Sequence, residues 1–453
     1  MNTSRKLSLT DCILLIMGSM IGSGIFIVPA SMSRELGSPF WLMIAWAATG
    51  LLTLLAALNY GELAAMLPKA GGQYIYLKEA YNRMFGFLYG WTLFTVIQTG
   101  TIAAVAVAFA KFTGVLFPVI SDQNFLIKTG FLNIQTQQIL AIAVIWLLTI
   151  FNFRPVKTGA LLQNVFTLTK IGAILFMIGS GIFYCYTQGA RTIDWSVGST
   201  FSTAGFWSIF SVALVGSIFS TDAWNNVTFT GGEINKPERT LPLSLVTGTG
   251  MVLLIYLMMN WIYLLVLPFQ EIQNANNDRV GTALLSAVFG ESGLIIMAIL
   301  IMISTFGCIN GITLSGARVY YAMAQDGLFF SQAKTLNKNH SPQTALILQA
   351  IWTSILALSG SYGDLLDYVV FAVLLFYILT VAGVIILRIK RPNENRPYKV
   401  PAYPILPILY ILLAGFVCIN LLLFKPDYTF PGLGIVLLGI PVYFLVNRKS
   451  QKE

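Results

Sequence analysis

Few residues in this chain are placed to do chemistry, and most of them fall in two short strings. Met20-Ile21-Gly22-Ser23-Gly24 sets two glycines around a serine in the middle of an apolar run. Phe219-Ser220-Thr221-Asp222-Ala223-Trp224-Asn225 sets an aspartate and an asparagine inside another. Glycine costs a helix about 1 kcal/mol relative to alanine, and an aspartate deep in an apolar run is costly unless it faces a cavity or a partner. Both strings therefore predict an interrupted helix. A helix start exposes unpaired N–H groups and partial positive charge, and a helix end exposes carbonyls and partial negative charge. The Gly22, Ser23 and Gly24 amides would receive a carboxylate. Carbonyls near Met20 and Ile21, and around Phe219, Ser220 and Asp222, would accept from an ammonium. Donors for an anion and acceptors for a cation a few ångströms apart fit an α-amino acid, with Thr221, Trp224 and Asn225 completing the expected contacts. The competing readings are close helix packing through small residues at the first string and, at the second, a span that ends at Thr221 with Asp222 capping the next helix.

A third candidate is Lys170, which interrupts an apolar stretch and precedes eighteen or more apolar residues. A buried ammonium needs acceptors; the alternative is that the side chain snorkels to the interface. Asp222 has two readings as well. Facing a pocket, it would pair with a basic side chain or a polyamine; turned away, it would hold the unwound turn through hydrogen bonds, and this second role is the expected one. Other chemistry has little to build on. The four cysteines, Cys12, Cys185, Cys308 and Cys418, lack CxxC spacing, and the single histidine, His340, lies in a polar stretch. No metal site, cofactor or catalytic cluster is expected.

The elements that carry these strings follow from composition. Of 453 residues, 56% are hydrophobic and only 10% charged, with a mean hydropathy of +0.76. A soluble domain carries roughly 25% charged residues, so a soluble enzyme, a disordered chain and a DNA-binding protein are excluded, and apolar side chains must face lipid. Stretches long enough to cross a bilayer as helices run Cys12–Ser33, Phe40–Gly61, Met84–Ala110, Thr129–Phe153, Thr158–Ala190 (broken once, by Lys170), Trp195–Thr221, Thr240–Gln270, Ser292–Ala317, Ser341–Gly363, Tyr368–Leu387, Val400–Phe424 and Tyr428–Asn447. The expectation is an all-α membrane protein of twelve transmembrane helices. Placing the N-terminus in the cytoplasm puts 20 Lys/Arg on that side and five outside, which predicts a multi-pass cell-membrane protein with both termini cytoplasmic. The net charge of +9 thus reports topology rather than nucleic-acid binding. The two anomalous strings lie in spans 1 and 6, as they would if spans 1–5 and 6–10 were inverted repeats with interrupted helices at matching places. The expected organisation is a cytoplasmic tail over residues 1–10, one repeat over 11–190, a second over 195–390, two appended helices over 400–447, and a cytoplasmic tail over 448–453.

Gly18-Ser-Met-Ile-Gly-Ser-Gly-Ile-Phe26 resembles the first-span motif of the amino acid–polyamine–organocation superfamily. Phe219–Asn225, continuing to Gly232-Glu233-Ile-Asn-Lys-Pro-Glu-Arg239 and Leu241-Pro242, is similar to the L-amino acid transporter family within it. So are Pro68-Lys-Ala-Gly-Gly-Gln-Tyr74, Ser304-Thr-Phe-Gly-Cys-Ile-Asn310 and Ala324-Gln-Asp-Gly327. The resemblance covers spans 1–10. It implies the five-plus-five inverted-repeat fold with broken helices 1 and 6, alternating access, and exchange of amino acids. It also implies that Lys170 stands where sodium-coupled relatives bind a cation, bridging a first-span carbonyl near Gly18 to the Ser304 or Thr305 hydroxyl, and hence that transport is sodium-independent. Proton coupling through Lys170 is the rival. Animal members join a glycoprotein through a cysteine between spans 3 and 4; Pro118–Gln138 has none, so no disulfide-linked heavy subunit is expected. Ala223 stands where the family often has glycine and would constrict the pocket. Tyr256, in span 7, is read as part of the gate, with helix packing as its alternative. The expected function is secondary transport of L-amino acids, small neutral ones for preference. A proton-coupled amino acid or polyamine carrier and, from a different class, a membrane amino acid sensor are the alternatives.

Overall fold

The computed structural model describes residues 7–128, 133–197, 205–359 and 362–450. Most of the expected N-terminal tail (1–6), the start of the fourth apolar stretch (129–132), part of the sixth (198–204), the joint at 360–361 and the end of the C-terminal tail (451–453) lie outside the described residues.

Charge and proline set the helix ends, and they do so less simply than a charge-free window suggests. The second stretch, expected to stop at Gly61, continues as a helix from Pro39 to Met66. It runs through Glu62 because that carboxylate, almost fully buried, accepts from Arg388 at 2.8 and 2.6 Å and from the Val400 amide at 2.8 Å. The eighth stretch likewise extends past Ala317 to give Glu291–Gln325, its Arg318 paired with Glu233 at 2.8 Å. Proline opens the helices Pro39–Met66 and Pro237–Val266, where its missing N–H costs nothing. Ser8 and Asp11 close a reciprocal capping box on Leu9–Met20.

Among the described residues, eight helices are long and apolar enough to cross a membrane, nine if Leu9–Met20 and Gly24–Leu36, inclined at 44° to each other, are taken as one span. Shorter apolar helices are Thr136–Phe151, Phe206–Ser220, Val280–Phe289 and Gln343–Ser359. The described strands form one small antiparallel hairpin, Phe125–Lys128 with Asn133–Gln135. Leu161, Phe183, Leu254, Leu412 and Leu445 each leave more than half their surface uncovered, as lipid-facing side chains do. The chain is a multi-pass membrane protein.

At the centre, Pro237–Val266 packs along Pro39–Met66, and Glu291–Gln325 along Gln98–Leu116. Leu9–Met20 lies against Pro237–Val266, Val156–Gln188 and Glu291–Gln325, while Gly24–Leu36 lies against Phe206–Ser220. Two glycines make these approaches possible: a Cβ at Gly18 would run into Gln163 and Thr167, and one at Gly24 into Ser220.

Candidate functional site

The first helix stops at Met20, and the next begins at Gly24. Between them Ile21 is extended (φ −75°, ψ 96°). An interruption frees carbonyls that lipid cannot satisfy, and here each from Gly18 to Gly22 receives a side-chain donor. Lys170 Nζ donates to Gly18 O and Ile21 O, both at 2.8 Å. Cys308 Sγ donates to Ser19 O at 3.0 Å, and Tyr256 OH to Met20 O at 3.1 Å. Ser304 Oγ reaches Gly22 O at 3.0 Å and Ile21 O at 3.3 Å. Lys170, fully buried, therefore points inward and does not snorkel. It meets Ser304 at the shared Ile21 carbonyl.

Thr305 departs from expectation. Its hydroxyl donates to Ile301 O at 2.7 Å and Met302 O at 3.2 Å, within its own helix. Neighbouring helix positions differ by about 100° in direction, so Ser304 faces the interruption and Thr305 does not.

The second interruption follows Ser220. Thr221 ends the helix, Ala223 takes a left-handed backbone (φ 66°), and Trp224–Phe229 forms a 3₁₀ turn in place of a second α-helical half. The backbone of the segment after Met66 braces this turn: Gly71 N donates to Phe229 O at 3.0 Å, and Ala70 bridges Thr230. Tyr256 ties the two interruptions together, because its hydroxyl also reaches Ser220 O at 3.2 Å.

The expected substrate residues divide into groups. Met20, Gly22, Ser23, Gly24, Phe219, Ser220 and Asp222 line one cavity between the interruptions. Asn225 lines an adjoining one and donates to Gln73 Oε1 at 2.9 Å. Thr221 and Trp224 line a third, on the side of Leu52 and Tyr410; Trp224 packs there against Tyr60 and Tyr377, with ring centroids 4.8 and 5.2 Å away. Gly18 and Ile21 contribute carbonyls to the Lys170 anchor rather than lining any of the three. These cavities measure about 10 to 20 Å³, space comparable to one water each, so the side chains around the interruptions must part for anything larger.

Asp222 borders the pocket rather than turning away from it, and it also holds the unwound turn as expected, accepting from the Ala223 amide. It is half-buried, borders all three cavities, and accepts from Tyr377 OH at 2.6 Å. Tyr377 carried no local signal in the sequence, and Gln73 and Cys308 were marked only by the strings they belong to, without a role; their partners lie from 152 to 289 residues away.

At one end of the site Leu7 pairs through its backbone with the segment after the 3₁₀ turn, Leu7 N to Glu233 O at 3.1 Å and Asn235 N to Leu7 O at 2.9 Å. Arg318 holds Glu233 there through a two-point ion pair at 2.8 and 3.2 Å. At the other end Arg34 pairs with Asp278 at 2.8 Å, and Trp41 Nε1 donates to Val197 O at 3.0 Å.

The amino acid permease family model matches residues 7–440. The serine/threonine exchanger SteT of Bacillus subtilis is 30% identical, over 98% of this chain and 98% of its own. The mouse b(0,+)-type amino acid transporter 1 is 29% identical over 97% of this chain and 88% of its own, and the rabbit large neutral amino acids transporter small subunit 2 is 31% identical over 97% and 80%.

Proposed function

The chain belongs to the amino acid permease family, and from that premise we propose that it is a secondary transporter exchanging L-amino acids, small neutral ones among them, by alternating access without sodium. The observation that carries the reading is the meeting of the two interruptions. Amides at Gly22–Gly24 open one helix and carbonyls at Phe219 and Ser220 close another, around a common cavity. A substrate α-carboxylate takes the first set and its ammonium the second, as helix dipoles favour. Ile21 O already carries two donors, Lys170 and Ser304, whereas Phe219 O and Ser220 O carry one each, from Asp222 N and Tyr256 OH at 3.2 Å, so the ammonium takes a second lone pair on the carbonyls at the end of Phe206–Ser220.

Lys170 supplies the positive charge that a sodium ion would otherwise bring between Leu9–Met20 and Glu291–Gln325, and this supports sodium-independent transport. The proposed architecture is twelve spans, five and five as inverted repeats with two appended, and cytoplasmic termini. The four cysteines are free, with Cys12, Cys308 and Cys418 buried and Cys185 half-buried.

Counterflow tests the proposal. Proteoliposomes preloaded with unlabelled L-serine should take up labelled L-serine faster than empty ones, equally in sodium and choline buffers. A sodium requirement overturns the Lys170 assignment; uptake into empty vesicles driven by a pH gradient makes the carrier proton-coupled. Absence of any counterflow makes it a sensor rather than an exchanger.

A further inference from the structure

Two cations stand without a bonded partner at the Arg34 end of the site. Lys111 lies near the end of the helix Gln98–Leu116, and Arg279 immediately precedes the helix Val280–Phe289. Both are half-buried. Among the described residues, neither side chain donates a hydrogen bond or forms an ion pair, although Arg34, Arg318, Arg388 and Arg391 each pair with a carboxylate. The guanidinium of Arg279 lies over the Phe112 ring, 5.0 Å from its centroid, and its Nε is buried with no acceptor. A guanidinium carries five N–H donors and an ammonium three, and a ring face satisfies none of them as an acceptor oxygen would.

The surrounding charges do not make up the deficit. Lys111 is within electrostatic reach of Arg279, which repels it, and of Asp278 and Asp122. Arg279 also feels Asp122. Asp278 is already engaged by Arg34 at 2.8 Å. Three cations thus face two carboxylates, and the complement the group lacks is an anion. A carboxylate fits best, because it takes two parallel bonds from a guanidinium.

The place of the group in the fold says which carboxylate. Val105 lines the cavity at Gly22–Gly24. Phe112 stands seven residues further along the same helix, two turns and about 10.5 Å away on the same face. Gly281, two residues after Arg279, packs so close to Phe26 that a Cβ there would come within 3.2 Å of the ring, and Phe26 belongs to the helix that Gly24 opens. Lys111 and Arg279 therefore stand just beyond the amides that receive the substrate carboxylate. Charge of one sign at the mouth of a cleft concentrates the group of opposite sign.

We infer that Lys111 and Arg279 form an outer docking site for the α-carboxylate of an amino acid, which passes from there to the Gly22–Gly24 amides. The inference rests on the exchange reading above and adds an earlier binding step to it.

The test uses the full-length protein in proteoliposomes preloaded with unlabelled L-serine, with initial rates read over a range of labelled L-serine outside. Lys111→Gln and Arg279→Gln should each raise KM about threefold, and together about tenfold, with the maximal rate within about twofold of wild type. Arg279→Lys, which keeps the charge, should stay nearer the wild type than Arg279→Gln. Raising the salt from about 20 to about 500 mM should raise KM in the wild type and leave the double variant nearly unchanged, because salt screens only the charge that is present. A double variant with wild-type KM and salt response overturns the inference and leaves the exchange reading standing. So does a lower maximal rate at unchanged KM, which makes the pair a part of closure rather than of docking. Repeating the wild-type assay with isethionate in place of chloride separates the two sources of an anion: exchange that stops without chloride assigns the site to an inorganic ion and overturns the inference. Absence of counterflow by the wild type overturns both readings.

Discussion

Replacing Lys170 by methionine removes the anchor between the first helix and Val156–Gln188 while keeping an unbranched stem of similar length. The packing survives, including the close pass of the lysine stem beside Gly307. Two hydrogen bonds disappear, those to Gly18 O and Ile21 O at 2.8 Å. Ile21 O keeps Ser304, whereas Gly18 O loses the side-chain donor that Lys170 supplied. Hydrogen bonds from a charged donor are worth about 1.5–3 kcal/mol each, so the gross loss is about 3–6 kcal/mol. Burying an ammonium costs several kcal/mol that the methionine does not incur, and we take about half of the gross loss as the net effect, about 1.5–3 kcal/mol against the anchored arrangement of Leu9–Met20. That free energy corresponds to a factor of about 10 to 150 in an equilibrium constant. The assay is serine counterflow at matched protein density in the vesicles, with size-exclusion elution and the thermal midpoint in detergent as folding controls. The expected outcome is exchange slowed by about that factor in a protein that still elutes as the wild type does. Counterflow within threefold of wild type would refute the reasoning, because the anchor would then have no energetic role in the cycle.

Tyr256→Phe removes one hydroxyl whose single proton is shared between Met20 O and Ser220 O, a contact worth about 1 kcal/mol; serine counterflow should fall by about fivefold with the fold intact, and an unchanged rate would make Tyr256 a packing residue only. Ala223→Gly relieves a left-handed alanine that costs about 1 kcal/mol, so the thermal midpoint in detergent should rise, and a fall would place the strain elsewhere. Glu62→Gln takes the charge from the carboxylate that Arg388 and the Val400 amide share and should cost about 3 kcal/mol of stability, read as a lower midpoint. Glu79→Gln, at a more exposed pair with Arg391, should cost less than about 1 kcal/mol.

The places where helices stop were legible because their cause is local. Glycine at 22 and 24 weakens a helix wherever it stands, and Asp222 is anomalous in any apolar run. The inward turn of Lys170 followed from the resemblance more than from its neighbours. What stayed hidden depends on contacts far apart in the chain. A window that ends at the first charge stops the second helix at Gly61, since nothing nearby announces that Arg388, 326 residues later, will neutralise Glu62. Ser304 and Thr305 are both hydroxyls at adjacent positions, and only the rotation of the packed helix decides which one meets Ile21. The orientation of Asp222 was misjudged for the same reason: Tyr377, its donor, lies 155 residues downstream.

Leu7 uses both its amide and its carbonyl to grip Glu233 and Asn235. Any movement that parts the first helix from that segment must break both bonds together, so at this end of the site the two cannot shift independently.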